Sequence, residues 1–114
     1  MRLLPEILAE RSEAHRVEID LRVPADLAYF PGHFPGLPIL PGVVQLHWSV
    51  DLARARLALR GEFTGADNLK FLSIVRPEAR LTLALELAAR TQLRFSYFRG
   101  DKKYSSGTLL FALP

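Results

Sequence analysis

A chain of 114 residues that is 49% hydrophobic has the size of one globular domain with one core, so a single unit over residues 1–114 is expected. The absence of cysteine excludes disulfides, thiolate nucleophiles and Cys-ligated metals together, and no apolar run reaches the roughly 20 residues that span a bilayer. The net charge of +3 is interleaved with acidic and apolar residues, a mild basicity that favours an acidic partner without choosing among nucleic acid, a membrane surface and an acidic carrier protein.

The opening segment, MRLLPEILAERSEAH, lacks a continuous apolar stretch of secretory-signal length, so a soluble, untargeted, cytoplasmic protein is expected. Pro5 suits a first helical turn, and the residues to Glu10 read as a short helix. Arg16 to Val23 alternates strictly, with Val17, Ile19, Leu21 and Val23 on one face and Arg16, Glu18, Asp20 and Arg22 on the other. That is the period-2 pattern of a half-buried strand. Pro24-Ala25-Asp26 breaks it, and one turn follows to Phe30.

The thirteen residues from Phe30 to Gly42 hold four of the eight prolines, three of the seven glycines and one of the three histidines, His33. Prolines fix φ and glycines permit turns and close backbone approach, so such a loop can hold one imidazole in place without regular structure. It feeds a helix predicted over Val43 to Leu59. There Val44, Trp48, Leu52, Ala55 and Leu59 form one apolar row, and Val43, Leu46, Val50, Ala53 and Leu57 a second. A helix apolar on two adjoining faces should be deeply covered. Arg54, Arg56 and Arg60 fall in its last turns, where cations suit the macrodipole, and Gly61 is the expected stop.

Strands are predicted over Asn68 to Val75, Arg80 to Leu87, Gln92 to Phe98 and Lys103 to Leu113, with a tight turn at Gly100-Asp101 and a bulge or bend at Gly107. One strand, one buried helix and four antiparallel strands make an α+β arrangement in which the helix lies against a single curved sheet.

The chemistry concentrates at the loop and the helix start. His33 can transfer a proton, since free imidazole titrates near 6.5, and backbone N–H groups at a helix N-terminus can hold a developing oxyanion. His47 stands on the helix with Asp51 one turn later, where a carboxylate could pair with an imidazolium. The plainer reading makes His47 a packing residue and sends Asp51 to solvent. Trp48, by its place in the apolar row, reads as core, and His15 as a surface residue. Two histidines fourteen apart with no cysteine make no zinc set, so no metal is expected. Neither a nucleophile elbow nor a phosphate-binding glycine loop is present. Arg94, Arg99, Lys102 and Lys103 interleave with Phe95, Tyr97 and Tyr104, but strand alternation explains that pattern without nucleic acid.

The stretch Tyr29-Phe30-Pro31-Gly32-His33-Phe34-Pro35-Gly36-Leu37-Pro38-Ile39-Leu40-Pro41-Gly42-Val43-Val44 resembles the active-site segment of the hot-dog-fold 3-hydroxyacyl-acyl-carrier-protein dehydratases. Asn68-Leu69-Lys70-Phe71 and Arg76-Pro77 resemble the strand after that family's helix. Pro41-Gly42-Val43-Val44-Gln45-Leu46 most resembles the short dehydratase-like proteins of aryl polyene biosynthesis. The resemblance implies a hot-dog fold, a curved antiparallel sheet wrapped around one long central helix. It implies that His33 is the base, that the amides of Gly42 and Val43 polarise a thioester carbonyl, and that Phe34, Pro35, Gly36 and Leu37 border the substrate pocket. The family's second catalytic group is an Asp or Glu fourteen residues after the histidine; here that position is His47. The expected activity is dehydration of a 3-hydroxyacyl thioester on an acyl carrier protein, with no cofactor, by a homodimer or a heterodimer with another hot-dog protein. A non-catalytic subunit that binds acyl chains or completes a partner's site, and an acyl thioesterase, stand as alternatives. Arg54, Arg56 and Arg60, or Arg76 and Arg80, are the candidate carrier contacts, unranked by sequence.

Overall fold

The computed structural model describes residues 1–31 and 36–114. Its elements are strands β1 (Glu6–Glu13) and β2 (Arg16–Arg22), helix α1 (Gly42–Leu57), and strands β3 (Phe63–Phe71), β4 (Arg80–Ala89), β5 (Gln92–Arg99) and β6 (Lys102–Phe111). The strands form one six-stranded sheet in the order β1-β2-β4-β5-β6-β3, every neighbouring pair antiparallel. This α+β arrangement, one helix on an antiparallel sheet, is the hot-dog fold.

Register puts the alternating apolar residues on one face. Ile19 lies opposite Leu83, Leu83 opposite Tyr97, and Tyr97 opposite Ser105. Val17, Leu85 and Phe95 make the adjacent row. All of these side chains are buried, and α1 packs on them through Val44, Gln45, Trp48, Ser49 and Ala53. Burial of this continuous apolar face is the main force holding helix to sheet. Trp48 is core, as its row implies, and its indole N–H donates to the Leu3 carbonyl at 3.0 Å. The outer face carries the charges: Arg11 chelates Asp20 with two 3.0 Å bonds while the Thr82 hydroxyl donates to the same carboxylate at 2.8 Å.

Four expectations are corrected. The opening segment is strand β1, which forms a hairpin with β2 through a turn containing the exposed His15. Its Glu, Leu, Ala and Arg favour helix locally, but pairing along β2 gives its backbone groups a ladder. β3 begins at Phe63 and ends at Phe71, five residues before Asn68 and four before Val75, with a bulge between Asp67 and Lys70 where Asn68 has φ 53°. α1 stops at Leu57, with Ala58 taking the left-handed conformation at φ 53°. Arg54 holds that end by donating to the carbonyls of Leu59 and Gly61. Finally, the second apolar row of α1 is only partly covered: Val43 is 63% exposed, and Leu46, Val50 and Leu57 are half-buried.

Candidate functional site

The loop delivers the chain to α1 under tight control. The Leu40 N–H donates to the Val75 carbonyl at 2.8 Å, and the Leu40 side chain is buried in the core. Pro41 is the N-cap residue, with φ −59° and ψ 146°, and its carbonyl accepts from the N–H groups of Val44 and Gln45. Proline has no capping side chain, and no side chain among the described residues caps the helix. The N–H groups of Gly42 and Val43 therefore take no partner among the described residues, which leaves two donors and the positive end of the helix dipole for a ligand.

Val43 begins a cleft of about 280 Å³ lined by Val43, Leu46, His47, Val50, Asp51 and Phe63. Spacings of three and four along α1 put His47, Val50 and Asp51 on the same side as Val43. His47 and Asp51 are both exposed, and no hydrogen bond or ion pair joins them. The walls are otherwise apolar, so an imidazole here faces a hydrocarbon-compatible slot and not bulk polar surface. Phe63, from the edge strand, closes it and is itself 48% exposed.

A second cleft, of about 470 Å³, lies on the other side of the helix start, between Gly42 and Gln45 and the chain from Phe71 to Val75. The Phe71 ring packs directly on Gly42: a Cβ there would fall 2.8 Å from Cε1 and Cζ. Only glycine lets ring and backbone meet this closely. The paired amides thus sit between two openings.

Of the residues singled out in the sequence, Gly42, Val43, His47 and Asp51 come together on the first turns of α1. Gly36 is exposed with φ 82°, and Leu37 is 38% exposed. His33, Phe34 and Pro35 lie outside the described residues. Among the arginines, Arg56 is engaged by Glu10 through bonds of 2.7 and 3.0 Å, which hold the Glu10 carboxyl below its usual range. Arg54 serves the helix end and lies over the Phe111 ring.

The sequence reading missed Phe63, Leu46 and Val50 as cleft walls. It also missed a buried polar cluster beneath the helix start. Gln45, 3% exposed, donates from Nε2 to the Leu40 carbonyl at 3.3 Å and accepts at Oε1 from the Ser105 hydroxyl at 2.7 Å. The Gln45 main-chain carbonyl accepts from the Tyr97 hydroxyl at 2.7 Å, with Ser49 Oγ alongside at 2.9 Å. Burial pushes the Tyr97 hydroxyl well above its ordinary pKa, so it remains a neutral donor. The signal was present: Gly42, Gln45 and Ser49, spaced three and four apart, interrupt the apolar faces of α1.

A family profile described as ApeI-like, ApeI dehydratase, matches residues 9–108. The chain is 41% identical over 80 residues to a 3-hydroxyacyl-[acyl-carrier-protein] dehydratase FabZ of Pseudothermotoga lettingae, an alignment covering 66% of this chain and 56% of that protein. It is 30% identical over 125 aligned positions to the FabZ of Natranaerobius thermophilus, covering 97% and 86%. In three dimensions it is similar to a chain of the dehydratase heterocomplex ApeI:P from Xenorhabdus doucetiae, with a TM-score of 0.86 and 28% identity, covering 96% of this chain and 98% of that one.

Proposed function

Since the chain belongs to the ApeI-like dehydratase family, we propose that it dehydrates 3-hydroxyacyl thioesters carried on an acyl carrier protein. The observation that carries this reading is the uncapped helix start, with the Gly42 and Val43 amides unpartnered among the described residues and His47 one turn away in an apolar cleft. The thioester oxygen binds the two amides. His33 removes a proton from C2 and the electrons of that bond move toward the carbonyl, so enolate charge collects where the donors point. Collapse of the enolate forms the C2–C3 double bond and expels the C3 hydroxyl, which leaves as water after taking a proton from the His47 imidazolium. Solvent then resets the two histidines. The acyl chain lies in the cleft of Val43, Leu46, Val50 and Phe63, and the carrier's arm leaves through the second opening.

The dimer belongs to the same reading. β3 is an edge strand whose residues Phe63, Leu69 and Phe71 are exposed apolar side chains, and Phe63 shares a cleft with the exposed Val43 of α1. An edge of that kind is covered by a second hot-dog protomer, either a copy of this chain or a different one.

The test is incubation of the purified protein, alone and with candidate hot-dog partners, with 3-hydroxyacyl-carrier protein, following loss of water by mass spectrometry. His33→Ala and His47→Ala should each abolish or sharply reduce enoyl product. Full turnover by His33→Ala would overturn the assignment. A second reading is favoured by the imidazole at position 47, where the resemblance calls for a carboxylate: the chain completes a partner's site without turning over substrate itself. Activity that appears only with a partner and survives His33→Ala would select it.

A further inference from the structure

Resting on that reading, we propose that Gln45 is a positioning residue that aims the Gly42 and Val43 amides at the thioester oxygen. A buried primary amide among Val44, Trp48 and Ala53 is costly unless its hydrogen bonds are made, and here they are made to two places that matter. One is the carbonyl of Leu40, the last residue before Pro41. The other is Ser105 on β6, the strand between β5 and the edge strand β3.

The consequence is geometric. Leu40 is held from both sides, its N–H by Val75 and its carbonyl by Gln45. The peptide planes that carry the Gly42 and Val43 N–H groups follow immediately, and among the described residues the only other tie between is the Pro41 carbonyl, which belongs to the helix. Apolar packing resists separation of helix from sheet but resists sliding and rotation weakly, because it is not directional. Hydrogen bonds from Gln45 fix the rotation of the first turn about its axis and the angle at which the loop enters. Gln45 borders the second cleft but is itself buried, and it acts through the chain that it holds and not on the reacting atoms. Tyr97 and Ser49 belong to the same cluster but bind the Gln45 main chain, one step removed from Leu40.

The experiment compares the full-length parent with Gln45→Met, Ser105→Ala and Tyr97→Phe. It reads the 15N NMR amide shifts of Gly42 and Val43, kcat and KM for dehydration, and the thermal midpoint. Gln45→Met, which keeps volume and loses both bonds, should shift both amides and lower kcat by roughly ten- to a hundredfold while leaving KM within about twofold, the pattern of misplaced oxyanion donors. Ser105→Ala should give a smaller effect of the same kind. Tyr97→Phe should lower the midpoint and leave the amides and kcat near parental values. Unchanged Gly42 and Val43 shifts in Gln45→Met, or an unchanged kcat, would overturn the proposal. So would an equal loss of kcat in Tyr97→Phe, which would mark general loosening. A parent that dehydrates nothing, alone or with a partner, would sink the proposed function, and the NMR comparison would still decide the role of Gln45.

Discussion

Gly42→Ala separates what the helix start needs for stability from what it needs for chemistry. The new methyl would meet Phe71 Cε1 and Cζ at 2.8 Å, so the ring must retreat by about 0.8 Å to reach ordinary contact near 3.6 Å. Phe71 is 50% exposed on an edge strand, and the atoms struck are the far end of a side chain that can turn. Rotating it costs about 0.5–1.5 kcal/mol, while alanine in place of glycine in a helix returns about 0.5–1 kcal/mol. Stability should therefore change by less than about 1 kcal/mol, a midpoint shift of at most roughly 4–8 °C. Activity should fall much further, because the displaced ring and the shifted backbone both lie beside the amides proposed as oxyanion donors; a misplacement on the order of 1 Å costs up to about 10²-fold. The assay pairs thermal unfolding with kcat/KM for enoyl formation. Phe71→Ala in the Gly42→Ala background removes the overlap and should recover most of the lost activity, a coupling visible only in the double-mutant cycle. Parental activity in Gly42→Ala, or no recovery in the double variant, would refute the reasoning.

Gly61→Ala should be far more damaging, although both changes add one methyl. Gly61 has φ 90°, and its added Cβ would run into the main-chain carbonyl of Ala112, which cannot turn aside; strain and overlap together should cost about 2–4 kcal/mol, read as a large fall in the denaturant midpoint. Gly107→Ala places a methyl 2.7 Å from Leu69 Cδ2 and 3.0 Å from the buried Phe95, so a loss of about 1–3 kcal/mol is expected in the same assay. Asp20, held down to about pKa 2 first by Arg11 and then by Thr82, contributes stability that is complete above the unfolded value near 3.9 and disappears as pH falls through about 2. Because Arg11 is half exposed, the stability gap between parent and Asp20→Asn should be at most about 1 kcal/mol at neutral pH. That gap should close between about pH 4 and 2 in urea titrations, and a gap that persists at the acid end would contradict it.

The parts legible in the sequence were those whose pattern repeats within a few residues. Val17, Ile19 and Leu21 announce β2, and Leu81, Leu83 and Leu85 announce β4, because both strands are central and bury one face. The sheet edges were harder. β1 is exposed along its whole length, so no alternation marks it, and its helix-favouring residues point the other way. β3 opens with Phe63-Thr64-Gly65 and carries two register shifts, so its extent is set by β6, whose paired residues run from Ser105, opposite Phe71, to Phe111, opposite Phe63. At the site, Gly42, Val43, His47 and Asp51 were legible because they are close in sequence. Gln45 and Ser105 meet across sixty residues, a pairing that only the register of β5 and β6 creates. Gly61 stood out correctly as special, but the reason is the passing Ala112 backbone and not the end of the helix.

The unpaired side of β3 also bears on how the molecule can be handled. A border strand with open main-chain donors and acceptors and protruding phenylalanines is a template for whatever extended segment arrives first. Overproduced without a protomer that covers this edge, the chain should drift toward insoluble or mixed assemblies, and recovery from a host should rise when such a protomer is made in the same cell.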